Sequence, residues 1–294
     1  MNRLAELLGT DRPVLLDGGM GTLLQDSGLE DGDPGELWNL DNPDAVRAAH
    51  TAYAEAGARV LTTNTFGGTR PRLDMHGLGD RLADVNRNAA QIARSVADER
   101  GLLVAGDLGP TGELLAPLGT MTSEEAQALF AEQIRALVDG GIDLILVETL
   151  SDLGEADAAL AAARQVAPDL PIAVTMSFDT NVRTMMGVRP ADAVVHLAAA
   201  GADAVGANCG RGPAEMELIA ADMVRVRPTG LLLIAQSNAG LPHVVGDHFE
   251  YDATPTDLAA HANRLAELGI DLIGACCGST PAHIAAIRDT FTSA

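Results

Sequence analysis

Lysine is absent from all 294 residues, and the 19 cationic side chains are arginines. Chemistry that needs a primary amine on a side chain is thereby excluded, including Schiff-base aldolases, pyridoxal phosphate enzymes and Walker-type phosphate loops. Positive charge is scarce altogether: 41 carboxylates give a net charge of −22 and a pI near 4.4. Nucleic acid, whose phosphates must be neutralised by basic patches, is not an expected partner, and neither is an anionic membrane surface. No apolar run reaches the ~18 residues of a membrane span. The start, Met1 to Leu8, carries an early acid and no small-residue cleavage site, so it reads as a short helix and not a secretion signal. Only three cysteines occur, two of them adjacent, so a disulfide framework is not expected and the compartment reads as reducing and cytoplasmic. The seven histidines form no HxH or HExxH pair.

What is present is apolar and periodic. The 47% apolar content is ample for a large core. Eight short runs read as strands, at 14–17, 59–63, 102–107, 143–148, 171–177, 203–208, 231–236 and 271–275. Most lack polar alternation, as parallel strands covered on both faces do. Amphipathic stretches of helical length lie between them, such as 43–57, 81–100, 122–140 and 152–167. Four joints share a helix-ending glycine followed by a new strand: Gly57, Gly141, Gly201 and Gly269, with Asp143, Asp203 and Asp271 just before three of the strands. Serial βα units of this number predict an α/β fold, a (β/α)8 TIM barrel formed as a single domain over 1–294. The alternative, an open doubly wound sheet, lacks a GxGxxG fingerprint after the first strand. The stretch 25–41 is expected to be a lid.

A barrel gathers its active site at the C-terminal ends of the strands. Those ends carry Asp17, Asn64, Asp107, Glu148, Ser177, Cys209, Asn238 and the pair Cys276–Cys277, every one polar or a potential ligand. Solvation alone would distribute charge over both rims. A lone cysteine in a strand is usually a small buried hydrophobe. Here all three lie at strand ends beside glycines, which predicts that Cys209, Cys276 and Cys277 hold one metal ion. A zinc site with three thiolates and an open fourth position fits, while an iron–sulfur cluster would want a fourth cysteine. An open thiolate zinc suggests thiol chemistry, because it keeps a substrate thiol deprotonated.

The carboxylates are candidates for the rest of a substrate. Asp17 lies in Leu16-Asp17-Gly18-Gly19-Met20-Gly21-Thr22, where glycines allow backbone N–H groups to approach a ligand; its structural alternative is a turn or N-cap aspartate. Glu148 ends a strongly apolar strand, where an unpaired charge is costly, so it is assigned to a substrate ammonium group over a structural ion pair. Asp107 divides evenly between loop geometry and substrate contact. His50, His196, His261 and His283 fall in predicted helices and are assigned to packing or surface. His243 and His248, after the seventh strand, are weaker candidates for the site, and Met185 and Met186 are expected to pack.

These residues resemble the homocysteine S-methyltransferase family. Asp17-Gly-Gly-Met-Gly-Thr22, Thr63-Asn-Thr-Phe66, Gly106-Asp-Leu-Gly-Pro-Thr111, Val147-Glu-Thr149, Asn208-Cys209, Asn238-Ala-Gly-Leu-Pro242 and Cys276-Cys277-Gly278 match it in order. The Thr63 and Asn238 segments look most like the homocysteine-binding module of cobalamin-dependent methionine synthases. Ala275 and Gly210 are departures, standing where the family more usually has glycine and a larger side chain. The resemblance implies zinc on Cys209, Cys276 and Cys277, with homocysteine thiolate as the fourth ligand. It further implies an amino-acid pocket drawn from Asp17, Gly18, Gly19, Asn64, Asp107, Glu148, Ser177, Asn208 and Asn238. The expected donor is methylcobalamin, supplied in trans or by a separate corrinoid protein. The alternatives are S-methylmethionine, S-adenosylmethionine or betaine. Two readings from other classes are a barrel lyase or hydrolase with a hard metal on Asp17, Asp107 and Glu148, and a non-catalytic thiol- or corrinoid-binding subunit.

Overall fold

The structure, a computed structural model, describes residues 2–30, 32–245 and 248–292. Among the described residues ten strands occur in chain order: β1 (Val14–Leu15), β2 (Val60–Thr62), β3 (Leu103–Leu108), β4 (Leu144–Leu150), β5 (Ile172–Met176), β6 (Ala204–Cys209), β7 (Leu232–Ser237), β8 (Pro242–Val245), β9 (His248–Tyr251) and β10 (Leu272–Ala275). Eight form one parallel sheet in the order β1-β10-β7-β6-β5-β4-β3-β2. A parallel bridge between Leu16 and Val60, and an Arg59 N–H to Leu15 carbonyl bond of 2.8 Å, join the two ends of that order. This is the expected (β/α)8 barrel. The strand between residues 14 and 17 is shorter than its apolar run suggests, because the Asp17 side chain has become the partner of β2. The loop after β7 contains an unforeseen antiparallel hairpin, β8–β9.

Alternation along the strands sorts two cores. Val60, Ala105, Leu146, Ala173, Ile234 and Leu272 point into the barrel, while the neighbouring residues meet the surrounding helices. Leu4 and Leu8, from the helix Arg3–Leu8, join the inner cluster and plug the end where the strands begin. Asn2 holds that plug: its side-chain oxygen accepts the Ala5 N–H at 3.0 Å, and its amide donates to the Gly230 carbonyl at 3.0 Å. The helices 43–57, 81–100, 122–140 and 152–167 read from the sequence appear as Pro43–Ala56, Leu82–Arg100, Ser123–Gly140 and Leu153–Val166. Thr122 and Glu125 form the capping box that starts the third.

The recurring glycines at the joints adopt left-handed φ values between 92° and 109°. The aspartates that follow them do more than turn the chain. Asp143, Asp203 and Asp271 accept the backbone N–H groups of Val104, Ile172 and Leu233, at 2.7, 3.0 and 2.8 Å, so each satisfies the start of an adjacent strand. Arg94, Arg164 and Arg227 pair with the same three carboxylates. Charge at this rim is therefore spoken for, which sets it apart from the opposite rim.

The stretch 25–41 is built up where a lid was expected. It contains a 3-10 turn, Gly35–Leu37, and a short helix, Trp38–Asp41. Glu36 accepts the Gly67 N–H at 2.5 Å and the Asn39 amide donates to the Asn64 carbonyl at 2.8 Å, tying the segment to the loop after β2.

Candidate metal centre and active site

Two strand ends bring the thiols together. β6 ends at Cys209, whose φ of +58° turns the chain out of the sheet and aims the sulfur over the barrel mouth. β10 ends at Ala275, where the Cys276 N–H still bonds the Ser237 carbonyl at 2.9 Å before the chain turns. The Cys209 and Cys276 sulfurs lie 2.9 Å apart, those of Cys276 and Cys277 lie 3.9 Å apart, and all three fall within 4.8 Å of one another. A tetrahedral zinc with bonds of about 2.3 Å spaces its sulfurs by about 3.8 Å. Of the three pairs, Cys276–Cys277 has that spacing at 3.9 Å, Cys209–Cys276 is closer at 2.9 Å, and Cys209–Cys277 lies within 4.8 Å.

The protonation pattern calls for a cation. Cys277 is lowered to about 3, because Cys209 and then Cys276 turn their S–H groups toward its sulfur. Cys276 is raised well above its usual value by its bonds to Cys209 and Cys277. Thiolates this close repel one another, so ionising all three is favoured only beside a positive charge. Three buried or half-buried carboxylates face the same space. Burial pushes Asp17 up to about 7 and Glu148 up to about 8, the latter helped by the Cys277 charge. Asp107 is also raised, by burial and then by Glu148, and its Oδ1 is buried without a partner. Among the described residues no arginine pairs with any of the three, in contrast to the opposite rim. A soft divalent ion on the sulfurs and an ammonium group among the carboxylates match this donor set.

Not every strand-end group is free to meet a ligand. Asp17 spends both oxygens on Thr62, accepting its N–H at 2.6 Å and its hydroxyl at 2.8 Å, and so clasps β1 to β2. The Asn64 amide donates to the Gly35 carbonyl at 2.8 Å and to Asn39 Oδ1 at 3.1 Å. Gly19 donates its N–H to Ser279 Oγ at 3.0 Å. A Cβ at Gly18 would stand 2.6 Å from that Oγ, and one at Gly19 would stand 2.8 Å from the Cys276 carbonyl oxygen. These glycines let the turn after β1 press against the cysteine turn. Asn238 joins the two cysteine loops, donating to the Gly210 carbonyl at 2.9 Å and accepting the Cys277 N–H at 3.1 Å. Ser177 is half-buried at the end of β5, with its N–H bonded to the Leu150 carbonyl at 3.0 Å.

Asn208 is 1% exposed and bonded on every side. Its Oδ1 accepts the Thr149 N–H and the Thr175 hydroxyl, both at 2.9 Å, and its amide donates to Thr149 Oγ1 at 2.6 Å and toward the Cys209 sulfur at 3.8 Å. Thr149 needs such support. Its φ is +62°, a region that costs a β-branched residue roughly 1–3 kcal/mol, and the register of β4 against β5 slips between Val147 and Leu150.

Tyr251 has no counterpart among the residues singled out in the sequence. Its ring lies on the backbone of Gly278, where a Cβ would be 2.1 Å from Cγ, which sets it beside the cysteine turn. Burial, and then the negative sulfurs, push it to about 12. Its one local signal is a tyrosine in a chain with only two, and the hairpin that delivers it was read as a loop. His50, His261 and His283 are buried in helices and His196 is exposed, as expected. His243 is exposed and 3.5 Å from Asp252, and the His248 side chain lies outside the described residues. Met185 does not pack: it is 71% exposed, because the turn after β5 carries it outward. Among the described residues, no helix is long and apolar enough to cross a membrane.

The titrating pair predicts a pH effect in the metal-free protein. Asp17 and Glu148 have folded values above their unfolded ones, so their contribution is whole below about pH 4 and is lost as the pH rises toward 8. Urea unfolding of wild type and Glu148→Gln at pH 5.5 and 8 reads the difference. The variant should gain on the wild type by roughly 3 kcal/mol over that interval. An unchanged difference would place the Glu148 carboxylate in water.

The fold and site define a (β/α)8 barrel that gathers three thiols at its mouth, beside carboxylates that pair with no arginine among the described residues. The family model described as homocysteine S-methyltransferase matches residues 14–291, and the chain belongs to that family. It is 35% identical over 291 residues to the methionine synthase of Mycobacterium tuberculosis, and 34% identical over 289 residues to that of Mycobacterium leprae. Those matches cover 94% and 93% of this chain but 24% of each relative, so the chain spans about a quarter of their length. Among solved structures, the metallated form of the homocysteine methyltransferase MmuM from Escherichia coli superposes with a TM-score of 0.82. It is 27% identical, and the match covers 98% of this chain and 99% of that one.

Proposed function

We propose that this barrel methylates the sulfur of homocysteine to give methionine, with zinc on Cys209, Cys276 and Cys277 and the methyl group taken from methylcobalamin, free or on a separate corrinoid protein. The observation that carries the reading is the meeting of three sulfurs from distant parts of the chain beside carboxylates that have no cationic partner among the described residues. Zinc held there would keep the acceptor thiol deprotonated at neutral pH and fix its direction. Glu148, with the open oxygen of Asp107, receives the α-ammonium group, and that charge returns the raised carboxylates to their ionised form. Asn238 keeps the two cysteine loops in register. Tyr251, packed on Gly278, closes one side of the centre. The mouth opposite the sulfurs is left for the donor.

A second reading takes S-methylmethionine, S-adenosylmethionine or betaine as the donor; it is supported by size, since the chain of MmuM, a homocysteine methyltransferase, is 99% covered by this single barrel. Incubating zinc-loaded protein with homocysteine and methylcobalamin, S-methylmethionine, S-adenosylmethionine or betaine in turn, and measuring methionine, separates them. Turnover with methylcobalamin is expected. Turnover only with a sulfonium or betaine donor selects the second reading, and no methionine with any donor overturns both.

A further inference from the structure

We propose that Asn208 is a positioning residue, holding the Glu148 turn and the Cys209 sulfur in one fixed relation, and not a group that meets the substrate. This rests on the reading of Glu148 as the ammonium acceptor.

The argument begins with capacity. A carboxamide offers two acceptor sites and two donor hydrogens. The Thr149 N–H can only donate, which identifies the oxygen of Asn208, and the Thr175 hydroxyl takes its second site at the same 2.9 Å. The nitrogen donates to Thr149 Oγ1 and toward Cys209 Sγ. Nothing is left over for homocysteine, and the side chain is 1% exposed.

Geometry supplies the rest. Asn208 reaches from β6 over Thr175 on β5 to Thr149 on β4, so one side chain spans three neighbouring strands. It grips the peptide that immediately follows Glu148, at a residue whose φ of +62° would relax without that grip. On its other side it adjoins Cys209, also left-handed at +58°. The two non-glycine turns that aim a carboxylate and a sulfur into the mouth are thus held by one amide. A substrate that spans an ammonium site and a thiol site feels any change in their separation.

Three measurements test this. In metal-free Asn208→Ala, exchange of the Thr149 amide, followed by NMR, should quicken about 100-fold. In the zinc-loaded variant the KM for homocysteine should rise about 10-fold, while kcat changes less than about 3-fold and zinc stays at about one per chain. Adding Thr149→Gly, which occupies that φ unaided, should return KM to within about 3-fold of wild type. Thr175→Val, close in volume, removes one of the bonds that orient Asn208 and should raise KM about 3-fold even if Asn208→Ala fails to fold. An unchanged KM in both single variants overturns the proposal. So does a raised KM that glycine at 149 fails to restore, since Asn208 would then not act through the Glu148 turn. If the wild type itself does not use homocysteine, the functional reading falls, and amide exchange still decides the clamp.

Discussion

Cys209→Ala is expected to leave the barrel folded, to lose its zinc to a chelator that the wild type withstands, and to lower methionine formation by about 1,000-fold. The size follows from two losses. A thiol of pKa near 8.5 is only a few per cent ionised at pH 7, so an unassisted acceptor forfeits about 30-fold. The direction of its sulfur toward the methyl group is lost as well, worth a further factor of about 30 or more. The fold should survive, because Cys209 is half-buried at the rim and alanine at φ +58° bears a similar strain. Metal analysis by mass spectrometry, thermal unfolding and turnover on one preparation give the three readings. A variant that kept one zinc per chain and still turned over would remove Cys209 from the centre, and the proposed function with it.

Glu148→Ala should separate binding of the amino acid from binding of the metal. Its zinc content should equal that of the wild type, since all three sulfurs remain, while the KM for homocysteine rises about 100-fold. Breaking one partner of a desolvated charge pair costs about 2–5 kcal/mol, which brackets that factor. The carboxylate has been held out of water by the protein, at a cost that its rise to about 8 records, and the ammonium group is what offsets that cost. An analogue without the amino group, 4-mercaptobutyrate, supplies the control. It should be a poor acceptor for the wild type, and the variant should use it at least as well. Equal KM values for homocysteine in wild type and variant would show that the ammonium group lies elsewhere.

Much of this was legible in one dimension. Continuous apolar runs such as Leu144–Val147 can be covered only on both faces, and glycines at regular joints end the helices between them, so a barrel follows from local pattern. Strand ends in such a barrel converge, which is why Cys209 and Cys276–Cys277, 67 positions apart at their nearest, could be expected to meet. The hairpin β8–β9 was not legible, because Pro242 and the histidines that flank Val244 and Val245 interrupt any clear alternation. Tyr251 went unnoticed with it.

Residue type and spacing alone determined the architecture and that the three sulfurs would meet at one rim of the barrel. Tertiary structure decided which polar strand ends have capacity to spare. Asp17 is absorbed by Thr62, Asn64 by Gly35 and Asn39, and Asn208 by Thr149 and Thr175, whereas Glu148 and one oxygen of Asp107 are left facing the mouth. The reason is that hydrogen-bond partners here lie 25 to 59 residues apart. A donor or acceptor is satisfied or left open only once the packed chain has chosen its neighbours.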